Sequence, residues 1–356
     1  MNSSVVNRFN FVIFLICCSL MIFPHQSSFA QIRLDVSIDS AEKITIDDFD
    51  NFTALDCSDY LLGPISRVKY IPQIGIMIQS HRDLYLFEHS DLTISVKYSR
   101  IGNASNEYTH ISDFGYDQMT GLVYIYDMNA KKVLWFSQTG EFVRIDAVTN
   151  KASASPFSAF VRYNDSCFIG KRVYGMGKIP ELSIYDNNLN FVKQIASRMN
   201  LRSGIELYKQ FTRDCQGKVL YNRYFSNEIL EVSEDYVKAR YVVDFGKYNI
   251  PDPTKYNDEY EILNEINSSK KLYSSYIHNI CDSERYLSFA FISKPGKNCV
   301  AVYDKTISCT KAYIITPSPY SVSQVIPTTD SIYVIMEDVL GKYWLGMLKY
   351  STSSKY

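Results

Sequence analysis

Lys69, Arg162, Arg213 and His278 are the side chains of this 356-residue chain whose types and spacing could do chemistry together. Each falls in a short alternating stretch that opens a separate strand-and-turn unit: Val68-Lys-Tyr-Ile71, Phe160-Val-Arg-Tyr163, Gln210-Phe-Thr-Arg213 and Tyr276-Ile-His-Asn-Ile280. If the opening strands converge on one axis, these groups meet at one mouth. Clustered cations repel unless carboxylates, water or a bound anion compensate them. The chemistry expected there is binding of an anionic or polyhydroxylated ligand rather than coordination of a divalent metal. Catalytic patterns do not compete with this reading. His81, His89 and His110 form no HExxH or HxH pair, and neither a GxSxG turn nor a Gly-rich phosphate loop occurs. Asp56-Cys-Ser-Asp59 puts carboxylates near a thiol without EF-hand spacing and reads as a loop. No catalytic residue, metal ligand or cofactor is expected.

The elements that must position these residues repeat. The clearest copy runs from Asp113 to Ile145: Asp113-Phe-Gly-Tyr-Asp117, a turn ending at Gly121, Leu122-Val-Tyr-Ile-Tyr126, a turn at Asp127-Met-Asn-Ala130, Val133-Leu-Trp-Phe136, a turn ending at Gly140, and Glu141-Phe-Val-Arg-Ile145. Four short strands in that span are the size of one propeller blade. Further units cover about 65–102, 156–196, 208–245 and 276–315, and a sixth from Val322 is one strand short. Glu42-Lys-Ile-Thr-Ile46 alternates apolar and polar and is expected to supply that strand and close the ring. One insert, about 251–272, breaks the rhythm between units four and five. There Tyr256, Tyr260, Leu263 and Ile266 make one stripe of an amphipathic helix, a cap on a blade junction or a lid over one mouth.

Composition agrees with a large all-β protein. The 29 Tyr and 20 Phe suit pleated, half-buried surfaces, or else an aromatic-lined binding face. A formal net charge of −1 and the lack of a basic run argue against nucleic acid. Arg8 followed by the apolar run Phe11–Phe23, with small residues at Ser28 and Ala30, reads as a signal peptide over 1–30, cleaved before Gln31. Lipoprotein processing at Cys17 or Cys18 is the less favoured alternative, because bulky neighbours flank both. No second stretch is long enough to span a membrane. Outside the leader, Cys299 and Cys309 flank a turn and could form a hairpin disulfide in an oxidising compartment, or stay free thiols.

Ile111-Ser-Asp-Phe114, Val123-Tyr-Ile-Tyr-Asp127, Lys132-Val-Leu-Trp-Phe-Ser137, Thr139-Gly-Glu-Phe-Val143 and Tyr241-Val-Val-Asp-Phe-Gly-Lys-Tyr-Asn-Ile-Pro251 resemble the six-bladed β-propeller family of exported Bacteroidetes proteins, in the NHL/TolB-like propeller group. The turn Asn103-Ala-Ser-Asn-Glu-Tyr108 departs from that family's Gly-Pro-Gly-Glu-Tyr, keeping only Glu107 and Tyr108. The resemblance implies an all-β, six-bladed propeller over 31–356, with its helical insert between blades four and five. It also implies an exported protein, periplasmic or at the cell surface, and an O-glycosylation site at Ser40 within Asp39-Ser-Ala41. The family has no common activity, and fold does not dictate function. The expected role is a non-catalytic, monomeric binding or scaffold propeller for a protein or a small or saccharide ligand, at one face or at the channel mouth. Its alternatives are a metal-dependent hydrolase or lyase of the lactonase-like propeller type, and a carbohydrate-binding propeller.

Overall fold

Alternation of apolar and polar residues carries directly into the backbone. The computed structural model describes residues 31–55, 62–88, 94–148, 157–172, 182–195, 211–223, 225–257, 259–293 and 296–350. The expected leader, the Asp56–Asp59 run with Cys57, and His89 lie outside the described residues.

Three short N-terminal strands come first: β1 (Ile32–Asp35), β2 (Glu42–Ile44) and β3 (Asn51–Ala54). The blades follow: β4–β7 (Ile65–Ile71, Gly75–Ser80, Asp83–Phe87, Ile94–Tyr98), β8–β11 (Asp113–Asp117, Leu122–Asp127, Lys132–Phe136, Phe142–Ala147) and β12–β15 (Phe157–Arg162, Cys167–Arg172, Leu182–Asp186, Phe191–Ile195). Next are β16–β19 (Phe211–Arg213, Val219–Asn222, Glu228–Val232, Val237–Asp244), helix α1 (Glu259–Ser268), β20–β23 (Ser274–Asp282, Tyr286–Ser293, Lys297–Asp304, Cys309–Ile315) and β24–β26 (Ser321–Pro327, Ser331–Glu337, Tyr343–Lys349). Each group is one meandering sheet, and together they form a six-bladed β-propeller. Turn chemistry sets the blade size. Gly121 adopts φ 69° and donates its N–H to the Asp117 carbonyl at 2.8 Å, a left-handed turn that glycine makes without steric cost.

The first strand of every sheet is its inner edge. β4, β8, β12, β16, β20 and β24 pack in succession, and β24 packs against β4, which closes the circle. Side chains facing out of a blade must therefore meet those of the next blade. The core is accordingly six apolar seams, one per junction. Tyr98, Tyr108, Phe114 and Phe136 fill one seam, and Tyr126, Trp135, Phe157 and Phe160 the next. Each such side chain fully buried contributes about 1.5–3 kcal/mol. The aromatic excess is thus largely core. Among the described residues, the exposed large aromatics are Tyr236 and Tyr260.

Ring closure uses a different segment from the one expected. β3, not Glu42–Ile46, completes the last blade, pairing antiparallel with β26 from Met347↔Asn51 to Trp344↔Ala54. β2 instead lies parallel to β23, and β1 joins β19. The chain folds a 3-10 turn at Ile46–Asp48, whose Asp48 carboxylate accepts from the Thr45 N–H and hydroxyl, so the alternation ends at Ile44 and resumes at Asn51.

The helix is shorter than the expected insert of about 251–272. Among the described residues, the single α-helix, Glu259–Ser268, lies late in the chain. Ile262 and Ile266, one turn apart, are the residues of α1 buried against Phe225 and Tyr273, while Tyr260 points to solvent.

Candidate functional site

Five inner strands, β4, β8, β12, β16 and β20, and the turn after β24 at Thr329 meet around one cavity. A cavity of about 590 Å³ opens where β4, β8, β12, β16 and β20 run into the turns that lead to the second strands. Lys69, Asp113, Tyr124, Ser158, Arg213 and Asp282 contribute its polar wall.

Lys69 is brought to this wall but is engaged. Its ammonium donates to the Asp113 carboxylate and the Phe114 carbonyl of the neighbouring blade. Burial pulls Lys69 below its ordinary pKa range, and Asp113 opposes the shift. The same Asp113 carboxylate accepts the Phe160 N–H at 3.2 Å, and Tyr124 donates its hydroxyl to the Phe160 carbonyl at 2.9 Å. One buried carboxylate thus ties three blades together.

Arg213 also lines the cavity. Its guanidinium donates to the carbonyls of Gly217, Arg162 and, at 3.3 Å, Tyr163. Burial lowers its pKa, with Asp117 and Asp214 acting against that from beyond contact.

Arg162 and His278 are not among the lining residues. Arg162 pairs with Asp117 at 2.6 Å and lies 4.2 Å from the centre of the Phe168 ring. His278 sits on β20 between two register slips, flanked by left-handed Tyr276 (φ 61°) and Asn279 (φ 49°). Its Nδ1–H is donated to the Tyr276 carbonyl at 2.6 Å, and burial lowers its pKa. Carboxylates thus answer two of the four expected cations, Asp113 for Lys69 and Asp117 for Arg162.

The compensating acids were missed. Asp113 and Asp117 bracket one inner strand, and their spacing within Asp-Phe-Gly-Tyr-Asp was the available signal. Asp214 is bound by Arg240, and Asp282 by Lys305 and, at 3.0 Å, by the Tyr241 hydroxyl. Burial raises the Asp282 pKa above the usual carboxylate range despite Lys305. Among the described residues, no three His, Cys, Asp or Glu side chains gather as a metal site would require.

Cys299 and Cys309 are separated by the β22–β23 register. The β22–β23 register places Cys299 opposite Ile314 and Cys309 opposite Asp304, at opposite ends of the ladder, and both thiols are free. Flanking a turn in sequence did not make them partners, because Cys309 starts its strand whereas Cys299 lies near the far end of the facing one. Ser40 lies exposed in a turn, with Asp39 paired to Lys247 at 2.7 Å and hydrogen-bonded by Tyr248.

Six blades around a polar axial cavity define the class, a six-bladed β-propeller. Within it, the chain belongs to the family described as Domain of unknown function (DUF4934), which matches residues 57–339. The fold is similar to that of a presumed exported protein from Bacteroides fragilis, at TM-score 0.69 and 16% identity, covering 90% of this chain and 100% of that one. A member of the duf4221 family from Bacteroides vulgatus aligns at TM-score 0.55 and 8% identity, over 85% of this chain and 98% of that one. A streptogramin B lyase aligns more loosely, at TM-score 0.47 and 8% identity, over 86% and 100%. No curated protein matches the chain. Among the described residues, no helix is long and apolar enough to cross a membrane.

Proposed function

We propose that the protein is an exported, non-catalytic binding propeller that takes a small ligand into its axial cavity. The observation that carries this reading is the state of the cavity's buried acids. Asp113, Asp214 and Asp282 each hold a neighbouring cation, Lys69, Arg240 and Lys305 respectively. Groups committed in this way build a rigid polar wall and are not themselves free to act as acid, base or metal ligand. A concave pocket of this size with fixed polar groups suits recognition of a compact molecule. Export rests on the apolar Phe11–Phe23 run and on the likeness to an exported relative. Cleavage before Gln31 and O-glycosylation at Ser40 belong to the same proposal. The N-terminal sequence and the intact mass of protein from its native host, with and without Ser40→Ala, check them.

Native mass spectrometry of protein purified from its host tests the binding role. A bound small molecule is expected, and Thr212→Trp should displace it by filling the cavity wall without changing charge. Retention of the molecule by Thr212→Trp at the wild-type level would move binding elsewhere.

A further inference from the structure

Resting on the proposed cleavage before Gln31, we infer that the mature amino terminus is a pyroglutamate, formed from Gln31, that seals the open end of the ring-closing arm. Three observations meet at this residue.

The first is chemical. Cleavage after Ala30 makes Gln31 the first residue. Glutamine is the residue whose side-chain amide lies a five-membered ring away from its own α-nitrogen. An α-amino group has an ordinary pKa of about 7.7–8.0, so a fraction of it is neutral and nucleophilic near pH 7. The nitrogen attacks Cδ and a new C–N bond forms. The bond to the side-chain nitrogen breaks, that nitrogen takes the proton the amine gives up, and one ammonia leaves. No oxidant, reductant or co-reactant is consumed.

The second is access. Gln31 is exposed, and its side chain has no hydrogen bond or ion pair among the described residues. β1 starts one residue later, at Ile32. It is fastened further along, where Arg33 pairs with Asp244 and the Val36 N–H donates to the Asp244 carbonyl at 2.8 Å. The lactam therefore closes without breaking a contact that the fold uses.

The third is position. Gln31 begins the arm whose strands β1, β2 and β3 lie outermost on three sheets, and β3 completes the last blade. Exposed chain ends are where proteolysis concentrates. A lactam offers an aminopeptidase no free α-amine. It protects the arm at the end from which trimming would proceed toward β3.

Protein purified from its native host tests this, through the mass of the N-terminal peptide released by cleavage before Asp35, which lies clear of Ser40. A peptide running from Gln31 to Leu34, lighter by one ammonia than its sequence, is expected. The synthetic peptide Gln-Ile-Arg-Leu, carried through the same handling, measures the lactam formed during work-up, and a native level no higher than that overturns the assignment. A peptide that starts at Gln31 with its full mass overturns the lactam and leaves the cleavage standing. A chain that starts elsewhere overturns both. Gln31→Ser should melt like the wild type yet lose residues of the arm to an added aminopeptidase. The wild type should lose none until pyroglutamyl aminopeptidase has uncovered Ile32. Equal trimming of untreated wild type and Gln31→Ser overturns the protective role.

Discussion

Arg162 on β12 and Asp117 at the end of β8 meet across two blades, Nε to Oδ2 at 2.6 Å, with side chains only 9% and 2% exposed. The same carboxylate accepts the Met119 N–H at 3.1 Å and the Thr120 hydroxyl at 2.9 Å, so it also shapes the turn into β9. The pair staples two inner strands at the axis.

Removing one member should leave a buried charge uncompensated. Asp117→Asn is expected to cost about 3 kcal/mol. The double variant Asp117→Asn, Arg162→Met should recover part of that. Urea midpoints of the four proteins check it, and a single-variant loss below about 1 kcal/mol would place the pair with screened surface pairs instead.

The N-terminal arm crosses three sheets as their outermost strand, and β3 alone completes the last blade. Phe52 on β3 stacks on Trp344 with ring centres 5.1 Å apart. Deleting residues 31–54 should expose an unpaired edge and give aggregation or loss of cooperative unfolding. Deleting only 31–48 should do less harm, because it spares β3. Calorimetry and size-exclusion chromatography of both truncations decide this, and equal behaviour would refute the special role of β3.

The thiols should sort by burial. Cys215 and Cys309 are exposed and free, whereas Cys167, Cys281 and Cys299 are buried. Burial pushes the Cys299 thiol up to about 12 and the Cys167 thiol up to about 11. Native alkylation read by mass spectrometry should label the first two quickly and the others only after unfolding. A Cys299–Cys309 cross-link in the unreduced protein would contradict the hairpin register.

His278 should make the fold acid-sensitive. Burial holds its pKa below the ordinary value, with the Tyr276 carbonyl opposing. As pH falls below about 6.5, the unfolded chain takes up this proton first. The histidine's contribution is therefore present above the unfolded pKa and lost as pH falls through the folded one. Between about pH 7.5 and pH 5, the wild-type urea midpoint should fall more than that of His278→Gln. Parallel pH dependences would show that His278 is not the group responsible.

Much of the fold was legible because strand periodicity is local. Leu122–Tyr126 was expected as a strand and Leu122–Asp127 is one; Val133–Phe136 became Lys132–Phe136. Glycine at a left-handed position marks where such runs must turn. Less of the site was legible. Lys69 and Arg213 were recognised as wall residues, but the aspartates that answer Lys69 and Arg162 were not, and Ser158 carried no signal. Its place in β12 is set by a bulge, a one-residue slip that flips side chains and that alternation cannot foresee.

By itself, the sequence determined the blade: its four-strand length, its turns, its aromatic seams, and hence the six-bladed class. Each follows from side-chain order within some thirty residues, where alternation and turn chemistry act directly. Tertiary structure decided everything that depends on which distant residues become neighbours. It paired Asn51–Ala54 with Tyr343–Lys349, set Cys299 against Ile314, and placed Asp113 between Lys69 and Phe160. It left Arg213 with carbonyls for partners. Those partners lie on different strands or different blades, and their meeting depends on register and ring closure, which no local pattern encodes.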